Sequence, residues 1–288
     1  MIENEKNIGK ATSIEKALKK VSTRHVLILD ADTVLDRGFA HEVMRGFHND
    51  KVQGVTGTVL PLDPETRTQN ARVIEYLLGV PNKKTQAKLN GIWILAGCCM
   101  MWKTDFLKKI GVKSDTVVED MDASWNAQAQ KNPDGEHYSL GFNPKAVTYT
   151  AEPETFKEYV KQTDRWLSIK PVLKKNLKNV SKGLKALTVW VFAESMIPIL
   201  WIGLAAWLLI IGNFLALGFM LLFDIVTLAI ISAYLGRKYG YGIRRILRGV
   251  GWFWVYRFVN AFQFWRRLIK PKKSGIRRLT SKILSENG

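Results

Sequence analysis

The sequence predicts an α/β domain with a largely parallel sheet, followed by a helical membrane region. Three observations carry that expectation. Short β-branched runs alternate with helical periodicities from the N-terminus to about Lys182. One such run, His25-Val-Leu-Ile-Leu29, leads directly into Asp30-Ala31-Asp32. Further on, two long apolar runs stand back to back.

A helical pattern over Ala11 to Val21 precedes the strand Val26 to Leu29. Ligands of α/β sheets bind beyond the carboxyl ends of the strands, and Asp30 and Asp32 sit at such an end. Two like charges that close repel unless a cation or a set of donors lies between them. The pair can present one carboxylate to a divalent cation and the other to a sugar hydroxyl, a ribose or a second metal contact. Aspartates in turns and helix caps offer a plainer reading of the same motif.

A second helical pattern, Phe39 to Phe47, leads to the strand "VQGVTGTVLPL"; Ala71 to Leu78 is helical, and "GIWILAGCCMMWK" (Gly91 to Lys103) reads as a buried strand pair or a strand and turn. In "SDTVVEDMDASW", Ser114 to Trp125, the acids Glu119, Asp120 and Asp122 open a helical pattern that runs through Ala129. One of these carboxylates can serve as a general base. First-turn acids that complement the helix dipole are the alternative, and it is preferred for Asp122. In the helical stretch "TFKEYVKQTDRWLSIK", Gln162, Arg165 and Trp166 share one face. Arg takes phosphate bidentately and Trp stacks on a sugar ring, so this face suits a phosphorylated sugar. A Trp at a membrane interface beside an Arg at headgroups is the competing reading.

Ala186 to Ile211 contains one acid, Glu194, and one proline, Pro198; Phe214 to Leu235 has only Asp224 charged. Each run is long enough to cross a hydrocarbon core of about 30 Å as a helix. Gly212 and Asn213 alone separate them, which predicts a transmembrane hairpin. Lysines 174, 175, 178, 182 and 185 precede it and Arg237, Lys238, Arg244, Arg245 and Arg248 follow it, so both flanks are expected on the cytoplasmic side. Val250 to Trp265, aromatic and interrupted by Arg257, is expected to be an interfacial or re-entrant helix, with a third span as the alternative. The division expected is thus 1–182 for the sheet domain and 183–288 for the membrane region with its basic tail.

The formal net charge of +18 suits anionic membrane lipids, and no nucleic-acid motif is present. Adjacent Cys98 and Cys99 make poor disulfide partners, which points to a reduced, cytosolic compartment. The first residues carry neither the apolar stretch of a signal peptide nor a transit-like pattern. Two apolar helices are too few for a transporter in which Glu194 and Asp224 line a proton path, and pairing of these acids inside an oligomer is the better expectation.

Taken in order, D-A-D, V-E-D, Q-T-D-R-W and a membrane hairpin resemble the membrane-bound family 2 glycosyltransferases, the group containing cellulose, hyaluronan and poly-N-acetylglucosamine synthases. "NIGKATSIEKAL", "GCCMMWK" and the E-x-P of "AEPETFKEYVKQTDRW" extend the resemblance across Asn7 to Trp166. It implies a GT-A-like nucleotide-sugar-binding sheet. By the same resemblance Asp30 holds the nucleotide sugar, Asp32 binds Mg²⁺ or Mn²⁺ on its diphosphate, and Asp120 is the general base. Glu119 shapes the acceptor site, Gln162 and Arg165 steady donor diphosphate or acceptor, and Trp166 stacks on the acceptor sugar. The implied partners are a nucleotide-sugar donor, a saccharide or lipid-linked acceptor, membrane lipids, and a partner chain or second copy. Members of the group begin with a base-contacting strand, a helix and a second acidic strand, all of which would precede Asn7. A truncated catalytic domain is therefore expected, poorly active or unstable alone, or else a non-catalytic or split subunit.

Overall fold

The structure, a computed structural model, describes residues 2–112 and 116–271. The basic tail after 271 and Ser114 therefore lie outside the described residues. The strands are β1 (His25–Leu29), β2 (Thr33–Leu35), β3 (Val52–Pro61), β4 (Cys99–Lys103) and β5 (Ser139–Thr150). They form one sheet in the order β1-β4-β3-β5-β2. The helices are α1 (Lys10–Leu18), α2 (Phe39–Arg45), α3 (Arg67–Lys88), α4 (Thr104–Ile110), α5 (Glu119–Ala129), α6 (Phe156–Trp166), α7 (Lys170–Asn176), α8 (Lys182–Ile210), α9 (Phe214–Lys238) and α10 (Ile243–Ile269).

The α/β class is as expected, but the sheet is not largely parallel. Only β3 and β5 pair in parallel, while β1–β4, β3–β4 and β2–β5 are antiparallel. Alternation of helix and strand does not set strand direction by itself. After α3 the chain runs through an irregular segment, 89–98, before β4 begins, and this return lets β4 enter against its neighbours. Of the strand expected over Gly91 to Lys103, the structure forms only β4. Side chains of α5 strap down the irregular segment before it: Gln128 Nε2 donates to the Ile92 carbonyl at 2.7 Å, Trp125 Nε1 to the Trp93 carbonyl at 2.9 Å, and the Leu95 N–H to Ser124 Oγ at 3.0 Å.

β3 is buried at every position and forms the spine of the sheet. Two glycines and five β-branched residues in "VQGVTGTV" suit such a place, since Gly54 lies against Trp102 and Gly57 against the Ala146 backbone. β5, in "SLGFNPKAVTYT", is missed by pattern because its Gly and Asn-Pro read as turns; Asn143-Pro144 falls where its register against β3 shifts. β2, α4 and α7 were likewise not expected. Capping boxes at Thr66/Gln69 and Thr155/Glu158 fix the starts of α3 and α6.

α8 and α9 are the two helices long and apolar enough to cross a membrane among the described residues. Ile210 and Leu215 are over four-fifths exposed, a placement that water would penalise and hydrocarbon would not. α10 does not pass as a span. It lies along α3, where Ile246 and Val250 join Leu60, Ile74 and Leu77 in one apolar cluster. Asp224 does not need an oligomer for its partner: Trp254 Nε1 donates to it at 2.8 Å and the Arg257 guanidinium of α10 pairs with it.

Candidate active site

The site is assembled where α1, the carboxyl end of β1 and the start of α5 meet. Gly9, at φ 83°, turns the chain into α1 and leaves Lys10 as its first residue. The Lys10 ammonium reaches Asp30 Oδ1 at 2.6 Å, Glu119 Oε1 at 3.7 Å and the Gly97 carbonyl at 3.0 Å. One cation thus ties D-A-D to V-E-D across the strapped segment. Its ammonium is stabilised in spite of burial, chiefly by the hydrogen bond and charge of Asp30. Lys10 belongs to the N-I-G-K-A stretch, yet no role could be read for it from the sequence, because its partners are distant in the chain.

Asp120 lies at the centre of this arrangement. Its Oδ2 accepts the Gly97 N–H at 3.0 Å and its Oδ1 the Met121 N–H at 2.8 Å. Burial, and then the charge of Glu119, push its pKa up to about 6, against the pull of the two backbone donors and Lys10. A carboxyl group that titrates near neutrality is well matched to taking a proton from a hydroxyl. Behind it, Lys83 of α3 donates to the Ile94 carbonyl at 3.1 Å, and burial brings its pKa down to about 8. Asp122 is different in kind. It is buried, and Lys175 and Asn176 of α7 hold it, so it pins α5 to α7 rather than facing the site.

Asp32 is exposed on the turn after β1, with the Thr33 hydroxyl 3.4 Å away. No group of three or more His, Cys, Asp or Glu side chains capable of enclosing a metal occurs among the described residues. Asp30 is engaged by Lys10. The donor set is therefore one free carboxylate oxygen pair with a second carboxylate nearby. That set fits Mg²⁺ or Mn²⁺ carried on a diphosphate, which keeps waters and phosphate oxygens as its other ligands.

Gln162, Arg165 and Trp166 lie on α6, with Arg165 exposed and Trp166 37% exposed. The Gln162 side-chain oxygen is buried without a hydrogen-bond partner among the described residues. These residues make no hydrogen bond or ion pair with Asp30, Glu119 or Asp120. Between β1 and β4, the Cys98 thiol is pushed up to about 12, first by burial and then by the charge of Asp30. Asp164, unremarked within Q-T-D-R-W, carries a structural duty: it pairs with Arg266 and Arg267 at the end of α10.

Comparison with known proteins places this geometry. A family model described as "Glycosyl transferase family group 2" matches residues 25–235. The poly-β-1,6-N-acetyl-D-glucosamine synthase of Staphylococcus epidermidis is 28% identical over 169 residues, covering 57% of this chain and 39% of the relative. The synthase of the same name from Staphylococcus aureus is 25% identical over 206 residues, covering 70% of this chain and 48% of the relative. The chain thus spans less than half the length of the curated relatives it matches. In fold, it is similar to a mannosyltransferase from Pyrobaculum calidifontis solved with GDP-Man and Mn²⁺, at a TM-score of 0.57 and 16% identity over 94% of this chain and 70% of the other. On the strength of the family match across its sheet and into its two long apolar helices, the chain belongs to glycosyl transferase family group 2.

Proposed function

We propose that this chain transfers a sugar, with inversion, from a nucleotide sugar to a saccharide or lipid-linked acceptor at the cytosolic membrane face, in the synthesis of a polysaccharide. Likeness to the staphylococcal synthases makes UDP-N-acetylglucosamine the donor of choice and a β-1,6-linked N-acetylglucosamine chain the acceptor. The observation that carries the reading is Asp120: a buried carboxyl group with a pKa of about 6, held by two backbone donors beside a Lys10–Asp30–Glu119 cluster.

The acceptor hydroxyl gives its proton to Asp120 as its oxygen attacks the anomeric carbon. The bond from that carbon to the diphosphate breaks and the nucleoside diphosphate leaves. Lys10 and Arg165 offer positive charge to the leaving group, Asp30 orients the nucleotide sugar, and Glu119 and Gln162 border the acceptor. Asp32 would hold Mg²⁺ or Mn²⁺, which supplies further charge neutralisation on the diphosphate when bound. Trp166 offers its ring to the acceptor sugar.

Washed membranes containing this chain, Mn²⁺ and a panel of labelled nucleotide sugars test the reading, with Asp120→Asn alongside. Incorporation from UDP-N-acetylglucosamine that disappears in the variant supports it, and product length separates a polymer from a single transfer. Incorporation that survives in Asp120→Asn refutes the base.

A second reading, a split or non-catalytic membrane subunit, draws on the sheet edge. Among the described residues β1 pairs only with β4, and Leu29 on it is 41% exposed, so a strand from another chain has a place to add. Co-purification of a second polypeptide that restores transfer to an otherwise silent chain would favour this reading.

A further inference from the structure

Arg72 is 1% exposed and lies under the Trp166 ring, a place where an arginine needs a reason. Its Nε donates to Glu152 Oε2 at 2.7 Å, its Nη1 to Glu75 Oε2 at 2.5 Å and its Nη2 to Tyr76 Oη at 2.9 Å. Tyr76 Oη in turn donates to Glu152 Oε1 at 2.6 Å. The guanidinium carbon is 4.9 Å from the centroid of Trp166, 4.7 Å from that of Tyr76 and 5.6 Å from that of Tyr159. Each of the three guanidinium nitrogens donates one hydrogen bond, to α3 or to the segment before α6. The plane against which Trp166 rests is therefore rigid.

We propose that Arg72 is the positioning residue for Trp166, a cationic platform that sets the angle of the indole so that its open side meets the acceptor sugar. This rests on the acceptor-stacking reading of Trp166. The network spans three pieces of chain: α3 through Arg72, Glu75 and Tyr76, the β5–α6 link through Glu152, and α6 through Tyr159 and Trp166. Tyr159 is itself locked, stacked on Tyr256 at 4.3 Å with its hydroxyl donating to Asn260 Oδ1 at 2.8 Å. A ring held only by its backbone would sample several rotamers, and ordering it would oppose acceptor binding. A ring already fixed by a cation–π platform avoids that loss. Lysine cannot replace this arginine, since an ammonium lacks both the plane and the fork. Arg72 makes no hydrogen bond or ion pair with Lys10, Asp30 or Asp32, so donor binding should be indifferent to it.

The test uses the detergent-solubilised full chain, titrated calorimetrically with an oligosaccharide of β-1,6-linked N-acetylglucosamine and, separately, with UDP-N-acetylglucosamine plus Mn²⁺. Arg72→Lys should weaken oligosaccharide binding about tenfold and leave donor affinity within about twofold. Trp166→Ala should weaken the oligosaccharide at least as much, and the double variant no more than Trp166→Ala alone. Glu75→Gln, which keeps the cation and removes the charge of one of its partners, should fall between wild type and Arg72→Lys; it serves if Arg72→Lys fails to fold. Loss of oligosaccharide affinity in Trp166→Ala but not in Arg72→Lys or Glu75→Gln overturns the platform and leaves the stacking reading standing. Equal loss of donor and oligosaccharide binding in Arg72→Lys also overturns it, as a general structural role. No effect of Trp166→Ala, or no uptake of oligosaccharide by wild type, overturns the stacking reading and the platform with it.

Discussion

The Gly97 amide donates to Asp120 Oδ2 at 3.0 Å, and a Cβ built on Gly97 would stand 2.4 Å from that same oxygen. The carboxylate and the strapped segment are thus in a contact that only glycine permits. Gly97→Ala must move Asp120 or the loop, since the obstructing atom belongs to the carboxylate proposed as the base. We expect Gly97→Ala to fold, because the clash is at the rim of the core, and to lose about 10²-fold or more in sugar transfer, the scale on which a misplaced reacting group is felt. Labelled-sugar incorporation beside a thermal unfolding midpoint checks both halves.

The pKa of Asp120 sets the acid side of the activity profile. Transfer should fall as pH drops through about 6, where the carboxylate takes up a proton and ceases to be a base. The same shift has a stability consequence. A carboxyl group raised from 3.8 to about 6 on folding favours the folded state below the lower value. That advantage, about 3 kcal/mol at most, is lost as pH rises between the two. The difference in midpoint between wild type and Asp120→Asn should therefore change between pH 4 and pH 6 and be flat above about pH 7. A difference that is constant across this range would show that Asp120 titrates normally.

How much of this was legible in the chain depends on how far each residue's partners lie. The strand into Asp30-Ala31-Asp32, the helix opened by Glu119 and Asp120, and the helix of Gln162, Arg165 and Trp166 are local patterns, and the structure keeps all three. So is the hairpin of α8 and α9. Lys10 could be seen only as part of a motif, because its three contacts come from residues 30, 97 and 119. The parallel sheet was misjudged for a similar reason: the straps from Trp125, Ser124 and Gln128 that hold 92–95 out of the sheet are side chains of a later helix. Arg72, an ordinary-looking helix residue, gives no sign in sequence that Glu152 and Trp166 close over it.

Lys10 makes a further prediction from charge count alone. Removing it leaves Asp30, Glu119 and Asp120 together without their shared cation. Lys10→Met should move the acid limb of the transfer profile upward, since the charge that opposes protonation of Asp120 is gone. Lys10→Arg, which keeps the charge, should restore the limb while transfer stays below wild type. The pH–rate profiles of the three proteins are the measurement, and a limb that does not move in Lys10→Met would exclude this coupling.

The two acids of D-A-D should differ in metal response. Asp30 is occupied by Lys10, whereas Asp32 is exposed with only the Thr33 hydroxyl nearby. Chelation should abolish transfer. Asp32→Asn should raise the Mn²⁺ concentration for half-maximal transfer by about tenfold, the scale of losing one ligand of a hard cation. Asp30→Asn should instead raise the UDP-sugar KM at saturating Mn²⁺. The reverse assignment in a Mn²⁺ titration would exchange the roles of the two carboxylates.

Asp164 tests whether α6 is held in place by α10. Among the described residues it is the acid that pairs with Arg266 and Arg267, and their hydrogen bonds and charges keep its carboxyl below the ordinary 3.8 although burial opposes this. Thr163, one residue before it, donates to Gln263 Oε1 at 2.7 Å, so α6 meets α10 through adjacent side chains. Asp164→Asn removes the charge and leaves the two arginines without their shared counter-ion. The cost should be about 1–3 kcal/mol, less than for a fully buried pair because Arg266 remains open to solvent. A group with a depressed pKa contributes stability above its unfolded value and loses it as pH falls. The gap in unfolding midpoint between wild type and Asp164→Asn should therefore be full at pH 7 and close progressively below about pH 4. Because Trp166 ends α6, loosening this anchor should also weaken acceptor binding while donor affinity is kept. A midpoint gap that persists at pH 3 would mean that Asp164 acts through packing and not through its charge.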